Sequence, residues 1–277
     1  MPASRLTRLQ RDLLREFSVR EQRFFLTGGA ALAGFHLGHR ETDDLDLFTE
    51  LNVLEEGRLA LEQAAGALGA TLQAISDSPA HKRFVVRRDA ESVRVDLALD
   101  ALQLLPKLAV DDRLRIDAPE EIAANKLTAL LSRSELRDLV DLRALERFGC
   151  DLEQTLALAM RKDAGLTPGQ LVLVLSEIRI GDDAQIPGGV SAAKLRRYLE
   201  GLIDRLARLA YPRPRCPGFS PRFRPRRTPS RKRAGRSRLS RPQPETRGGY
   251  RSRFTISQKP RGSTIGRSFT RLSTSRS

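Results

Sequence analysis

Asp44 and Asp46 stand two apart in the stretch DLDLF, separated by Leu45 and followed by Leu47 and Phe48. Such alternation predicts a strand, in which residues two apart share a face. The two carboxylates then project together while Leu45 and Leu47 face a core. Carboxylates so placed repel each other unless a cation lies between them. Oxygen ligands of this kind suit Mg²⁺, which keeps water and phosphate oxygens in its remaining positions. Two such ions about 3.5–4 Å apart can stabilise both the attacking and the leaving oxygen of phosphoryl transfer. Upstream, Gly28 and Gly29 open the small-residue run GGAALAGFHLGH. A glycine turn lets backbone N–H groups approach a phosphate, and a helix N-terminus favours its charge. Together the two features point to a metal-bound triphosphate. No G-x-x-x-x-G-K-[ST] occurs, so the turn is not a P-loop.

A third acid fits the same scheme. In SVRVDLALD, Val93, Val95, Leu97 and Leu99 share one face, and Arg94, Asp96, Ala98 and Asp100 the other. Asp96 could add a metal ligand, serve as general base toward an attacking hydroxyl, or belong to the wet face of an ordinary amphipathic strand. Further on, at about 100° per residue, Lys126 falls between Ile122 and Leu130 inside an apolar arc, with Arg133 nearly in line. A lysine there either snorkels along the core edge or enters a cleft and meets a triphosphate as a compact charge. Asp138 and Asp141 share a face of the following helix. Arg137 precedes Asp141 by four, the spacing of an exposed helical ion pair worth about 0.2–0.5 kcal/mol.

The elements that must position these groups follow from periodicity. Residues 4–18 read as a helix, RFFLT as a strand, GGAALAGFHLGH as a closely packing helix, DLDLFTE as a strand and 52–68 as a helix. TLQAIS, KRFVVRR and SVRVDLALD follow as strands, and RLRIDA as an extended segment. Asp117 and Glu120 have the D-x-x-E spacing of a capping box. Helices are then expected over 119–132, 135–148, 151–164, 168–178 and 191–210. The organisation is an α/β portion over 1–116, a helical portion over 117–211, and a tail over 212–277.

The tail differs in kind. Residues 1–211 carry 29 Lys+Arg against 33 Asp+Glu, whereas 212–277 carry 20 against one, so the net charge of +15 comes from the tail. Its Arg, Pro and Ser composition lacks periodicity and predicts disorder. The readings are a nucleic-acid arm with salt-dependent affinity, a solvated extension, or a stretch translated outside its ancestral frame. Two cysteines, no secretory h-region and no uncharged apolar run of about 18 residues suit a cytoplasmic protein without a membrane partner.

Taken in order, FFLTGGAALAGFHLGHRETDDLDLF, VRVDLALD and KLTALLSRSELRDLVDL resemble the AbiEii/AbiGii-type nucleotidyltransferase toxins, within the DNA polymerase β-like nucleotidyltransferase superfamily. The resemblance implies an α/β (α+β) fold: a mixed sheet flanked by helices, with a helical C-terminal portion closing over an NTP. It implies transfer of an NMP unit with loss of pyrophosphate, to tRNA in some members, and a cognate antitoxin. By motif, Gly28 and Gly29 would hold phosphate, and Asp44 and Asp46 would bind Mg²⁺. Asp96 occupies the third-carboxylate position. Lys126 would contact the nucleotide phosphates and Asp141 would be the downstream essential acid, with Arg137 and Asp138 beside them. Ala30 stands where many relatives carry a polar residue, and the basic tail is no part of the family pattern. Two rival functions are a nucleotidyltransferase acting on a small molecule such as an antibiotic, and a noncatalytic nucleic-acid-binding protein that uses the tail.

Overall fold

The computed structural model describes residues 4–100 and 102–211; the tail expected to be disordered lies outside the described residues. The elements in chain order are α1 (Arg8–Arg20), β1 (Phe25–Thr27), α2 (Gly28–Ala31), β2 (Asp44–Thr49), α3 (Leu54–Ala67), β3 (Thr71–Ser78), β4 (His81–Arg88) and β5 (Glu91–Leu99). Then come β6 (Leu108–Ala109), β7 (Arg115–Ile116), α4 (Pro119–Ser132), α5 (Leu136–Phe148), α6 (Leu152–Lys162), α7 (Pro168–Ser176) and α8 (Ala192–Ala210). Seven strands form one mixed sheet in the order β3-β4-β5-β2-β1-β7-β6. This is the expected mixed sheet flanked by helices.

The sheet's two faces differ because the strands alternate. Leu45 and Leu47 of β2, Val93, Val95 and Leu97 of β5, and Phe84 and Val86 of β4 are buried, on the side packed by α1 and α3. The opposite face carries the polar residues. Pairing is antiparallel between β1 and β2, parallel between β2 and β5, and antiparallel between β5 and β4. The register sets Thr27, Asp46, Asp96 and Arg83 opposite one another across four strands. Directly opposed residues share a face, so distant segments deliver one polar row.

Two local expectations need correction, and one strand is additional. The run GGAALAGFHLGH is not one helix. After one α turn, α2 passes into a π turn at Leu32–His36, closed by the Leu37 N–H on the Leu32 carbonyl at 2.7 Å, and the helix then stops. Gly34 accepts the Leu6 side chain so closely that a Cβ there would lie 2.7 Å from Leu6 Cδ1. The freed residues carry His39, Arg40 and Thr42 toward the open sheet face. The D-x-x-E capping box does not form either. The cap of α4 is Ala118, and Pro119 at the first helical position has no N–H to satisfy. Asp117 is instead buried with neither carboxyl oxygen hydrogen-bonded, and burial above all pushes its carboxyl up to about 7. Finally, β6 was not foreseen: two exposed residues, held by β7 alone, leave no periodic signal.

The later helices start where side-chain caps allow. Asp151, Thr167 and Ser191 accept from the N–H of Gln154, Gln170 and Lys194. Leu195, Leu199, Leu202 and Leu206 give α8 one buried stripe, continuous with a core that reaches back to Leu9 and Leu13 of α1. No helix among the described residues is long and apolar enough to cross a membrane.

Candidate active site

A cavity of about 580 Å³ opens where the polar face of β2 and β5 meets α4 and the start of α5. Gly28, Gly29, Asp44, Asp46, Asp96, Lys126 and Arg137 all line it. The structure therefore gathers the glycine turn, the three acids, the lysine and one arginine into one cleft. Asp138 and Asp141 lie behind its wall, fully buried.

Lys126 explains their position. Its Nζ lies 2.7 Å from both Asp138 Oδ1 and Asp141 Oδ2. Burial alone would pull the amine's pKa down, but Asp141 and Asp138 outweigh it and hold the amine above its usual value. An ammonium has three donors, so one remains beyond the two carboxylates. Asp141 also accepts from Arg40 Nε and Nη2 at 2.6 and 2.8 Å and from His39 Nε2 at 2.8 Å. Burial works to raise its pKa, yet Lys126, Arg40 and His39 hold it well below the carboxylate range. The expected exposed Arg137–Asp141 pair is thus absent: Arg137 reaches across to Asp44 Oδ2 at 2.9 Å instead. The i,i+4 spacing put the pair within reach, but Asp141 points into the core. Arg133, in line with Lys126, donates to Asp138 Oδ2 at 3.2 Å.

The three acids have unequal surroundings. Asp44 Oδ1 forms an ion pair with Arg94 Nε at 2.7 Å, without hydrogen-bond geometry, and Oδ2 accepts from Arg137. Asp96 receives Arg83 in a fork, at 2.7 and 3.1 Å, and His81 Nε2 at 2.9 Å. Asp46 sits between them in the register, and among the described residues no cationic side chain lies within 4.0 Å of it. Burial first, then Asp96 and Asp44 against the relief of Lys126, push its carboxyl up to about 6. Among the described residues no three His, Cys, Asp or Glu side chains close into a metal-ligand cluster.

The glycines are needed for close approach. Gly28 has φ +65°, a region that costs other residues strain. A Cβ there would lie 2.1 Å from Asp46 Oδ2, so the carboxylate rests on bare backbone. At Gly29 a Cβ would lie 2.7 Å from Arg40 Nη2. Gly28→Ala is therefore expected to cost about 1–3 kcal/mol of stability and to displace Asp46, read as a lower urea midpoint together with weakened binding of an NTP.

Sequence reasoning missed Arg40, His39, Thr42, Arg83, His81 and Arg94. The first three lie in a polar loop without period. The others sit on the strands' polar positions, where their types alone say nothing of partners.

No match was found among curated proteins. Among solved structures, the chain is similar to a candidate nucleotidyltransferase from H. pylori, at 23% identity and a TM-score of 0.44, covering 73% of this chain and 94% of that one. It is also similar to JHP933 from Helicobacter pylori, at 22% identity and a TM-score of 0.44, with 74% and 93% covered. The family described as nucleotidyl transferase AbiEii toxin, type IV TA system, matches residues 11–215. That span contains the glycine turn, the three acids of the open sheet face and the buried Lys126 network, and the chain belongs to the AbiEii nucleotidyltransferase toxin family.

Proposed function

We propose that the protein is an Mg²⁺-dependent nucleotidyltransferase that moves an NMP unit from an NTP to a hydroxyl of RNA, with a tRNA end as the first candidate, and that it acts in the cytoplasm as the toxin of a pair restrained by a cognate antitoxin. The observation that carries the reading is Asp46: a carboxylate without a cationic partner, in a cleft whose other charges are paired. A half-buried anion left so beside two other carboxylates is costly unless a cation arrives.

The donor set fits Mg²⁺, which is commonly held by one or two carboxylates together with substrate phosphates and water. Asp44 and Asp46 would hold it. Bound there, the ion would neutralise charge on the triphosphate and on the departing pyrophosphate. Asp96 stays with Arg83 and His81 as the neighbouring acid. In the transfer, the acceptor oxygen bonds to the α-phosphorus as the bond to the β-phosphate oxygen breaks and pyrophosphate leaves, the acceptor hydroxyl passing its proton to Asp96 or to water. The chain's own contribution is position and charge. The backbone of Gly28 and Gly29 borders the space for phosphate. Lys126 keeps one donor for it, and Arg137 can exchange Asp44 for phosphate oxygens, a bidentate match that suits a guanidinium.

The test incubates the full chain with each α-labelled NTP, Mg²⁺ and total RNA, and separately with candidate drugs. Label is expected on RNA, from a preferred NTP, and lost with EDTA or with Asp44→Ala. Label on a drug alone would assign a small-molecule acceptor. Undiminished transfer by Asp44→Ala would remove the metal mechanism.

A further inference from the structure

The polar face of the sheet does not end at the cleft. Beyond Asp96 it continues across β4 to the edge strand β3, and the register shows what lies there. β3 contributes Thr71, Gln73, Ser76 and Ser78, opposite Arg87, Val85, Arg83 and His81 of β4. Arg83, Val85 and Arg87 in turn oppose Asp96, Arg94 and Ser92 of β5. The apolar side of the same strands is the one packed by α3 and α1. On this side the four β3 residues, Arg87 and Ser92 are exposed, and Arg83, Val85 and Arg94 are half-buried. Hydroxyls, one amide and three arginines therefore make up most of an open surface, with Asp96 and Asp44 its acids at the cleft end, the first already engaged by Arg83 and His81 and the second by Arg94. Arg87 donates to the uncharged Gln73 at 2.8 Å, and among the described residues no acid lies within 4.0 Å of it.

That composition is unlike residues 1–211 as a whole, which carry four more acids than bases. An anionic polymer gains nothing from an acidic body at large. It gains from a local run of arginines with hydroxyl and amide donors between them, the groups that contact nucleic-acid backbones. The run is also continuous with the cleft, since His81, Arg83 and Arg94 line both.

Resting on the transferase reading above, we propose that the open face of β3–β4–β5 seats the phosphate backbone of the RNA acceptor, with Arg87 as its outermost anchor and Arg83 and Arg94 leading the strand end toward Asp46 and Asp96. Arg87 then sets acceptor affinity and leaves NTP binding alone.

The experiment compares the full chain with Arg87→Glu, with Gln73→Glu on the same face, and with Arg58→Glu on α3 as a control from another surface. The probe is a 5′-fluorescein RNA stem with a single-stranded 3′ overhang, titrated by anisotropy over a range of salt, with Mg·NTP affinity measured alongside. Both variants of the face are expected to weaken RNA binding severalfold, and Arg87→Glu to lower the log–log salt slope by about 0.7–0.9 for each phosphate no longer neutralised. NTP affinity should not move, and Arg58→Glu should behave as wild type. The basic tail is the same in all four proteins and drops out of the comparison. Unchanged RNA affinity and slope in both face variants would overturn the proposal. So would unchanged RNA binding with loss of the complex with the antitoxin, which would make the face a protein interface. Failure of the transferase reading is separate: RNA bound through Arg87, with no NTP consumed, leaves the surface standing and removes the chemistry.

Discussion

Asp46→Asn should yield a protein more stable than wild type at neutral pH and all but unable to transfer a nucleotide. The carboxyl stands at about 6 in the fold against an ordinary 3.8. Its folded value is raised, so the folded state keeps a proton that the unfolded chain releases. Below about pH 4 both states are protonated and the side chain costs nothing. Between about pH 4 and 6 wild-type stability falls as pH rises, and above about 6 the whole cost is present. A shift of this size corresponds to about 3 kcal/mol. Asparagine has no such term. The variant's advantage in urea unfolding should therefore be absent near pH 4, grow through pH 6 and level off above it. The cause is specific: burial first, with Asp96 and Asp44 adding to it and Lys126 and Arg137 offsetting it only in part. If Mg²⁺ with NTP supplies that cation, it should raise the melting temperature of wild type more than that of the variant. Transfer should fall by on the order of 10²–10³-fold, as when a group facing developing charge is removed. A variant less stable than wild type at pH 7.5, or one retaining transfer, would contradict this account. The trade is of a familiar kind, stability given up where function needs a strained charge.

How much of this was legible beforehand depended on the range of the interaction. Asp44 and Asp46 announce themselves because a strand has period two and the leucines between them mark the buried face. The placement of Asp96 beside Asp46 was accessible through the same alternation, although its register was not. Pairing β2 with β5 required a parallel crossover whose partner the local pattern does not name. Lys126 was visible as a charge inside an apolar arc, and that oddity pointed to a buried role. Its partners were read less well. Asp141 four residues after Arg137 suggests a surface pair, and nothing in the helix says that Arg40, in a loop a hundred residues earlier, turns it inward. The π turn that delivers Arg40 was hidden as well, since a run of small residues reads as continuous helix. It spends an extra residue per turn, and Gly34 within it leaves room for the Leu6 side chain.

Asp141 carries the largest structural cost. Its side chain is fully buried and meets Lys126, Arg40 and His39; it acts on the cleft by holding Lys126 and Arg40, which makes it a positioning residue. Asp141→Ala leaves the buried guanidinium of Arg40 without its anion and Lys126 with Asp138 alone. Breaking such a network costs about 3–5 kcal/mol, a large part of the 5–15 kcal/mol that ordinarily holds a fold together. A lowered urea midpoint at pH 7 should show it. The pH dependence has the opposite sense to that of Asp46. Asp141 is held below its ordinary 3.8, so its contribution is present above that value and is lost only as pH falls through the lower folded value. Wild type and Asp141→Ala should therefore converge in strong acid, with the gap reaching its full size by about pH 4 and staying level above it. Pairing can be separated from packing by changing both partners. Arg40→Met with Asp141→Leu leaves no lone buried charge at that contact, and apolar replacement of a buried pair is often neutral or stabilising. The double variant should thus regain most of the lost stability without regaining transfer, because Arg40 no longer stands over Gly29 and Lys126 no longer has the carboxylate that aims it. Recovery of transfer along with stability would mean that the cleft needs only a folded wall at this point, and would remove the positioning role.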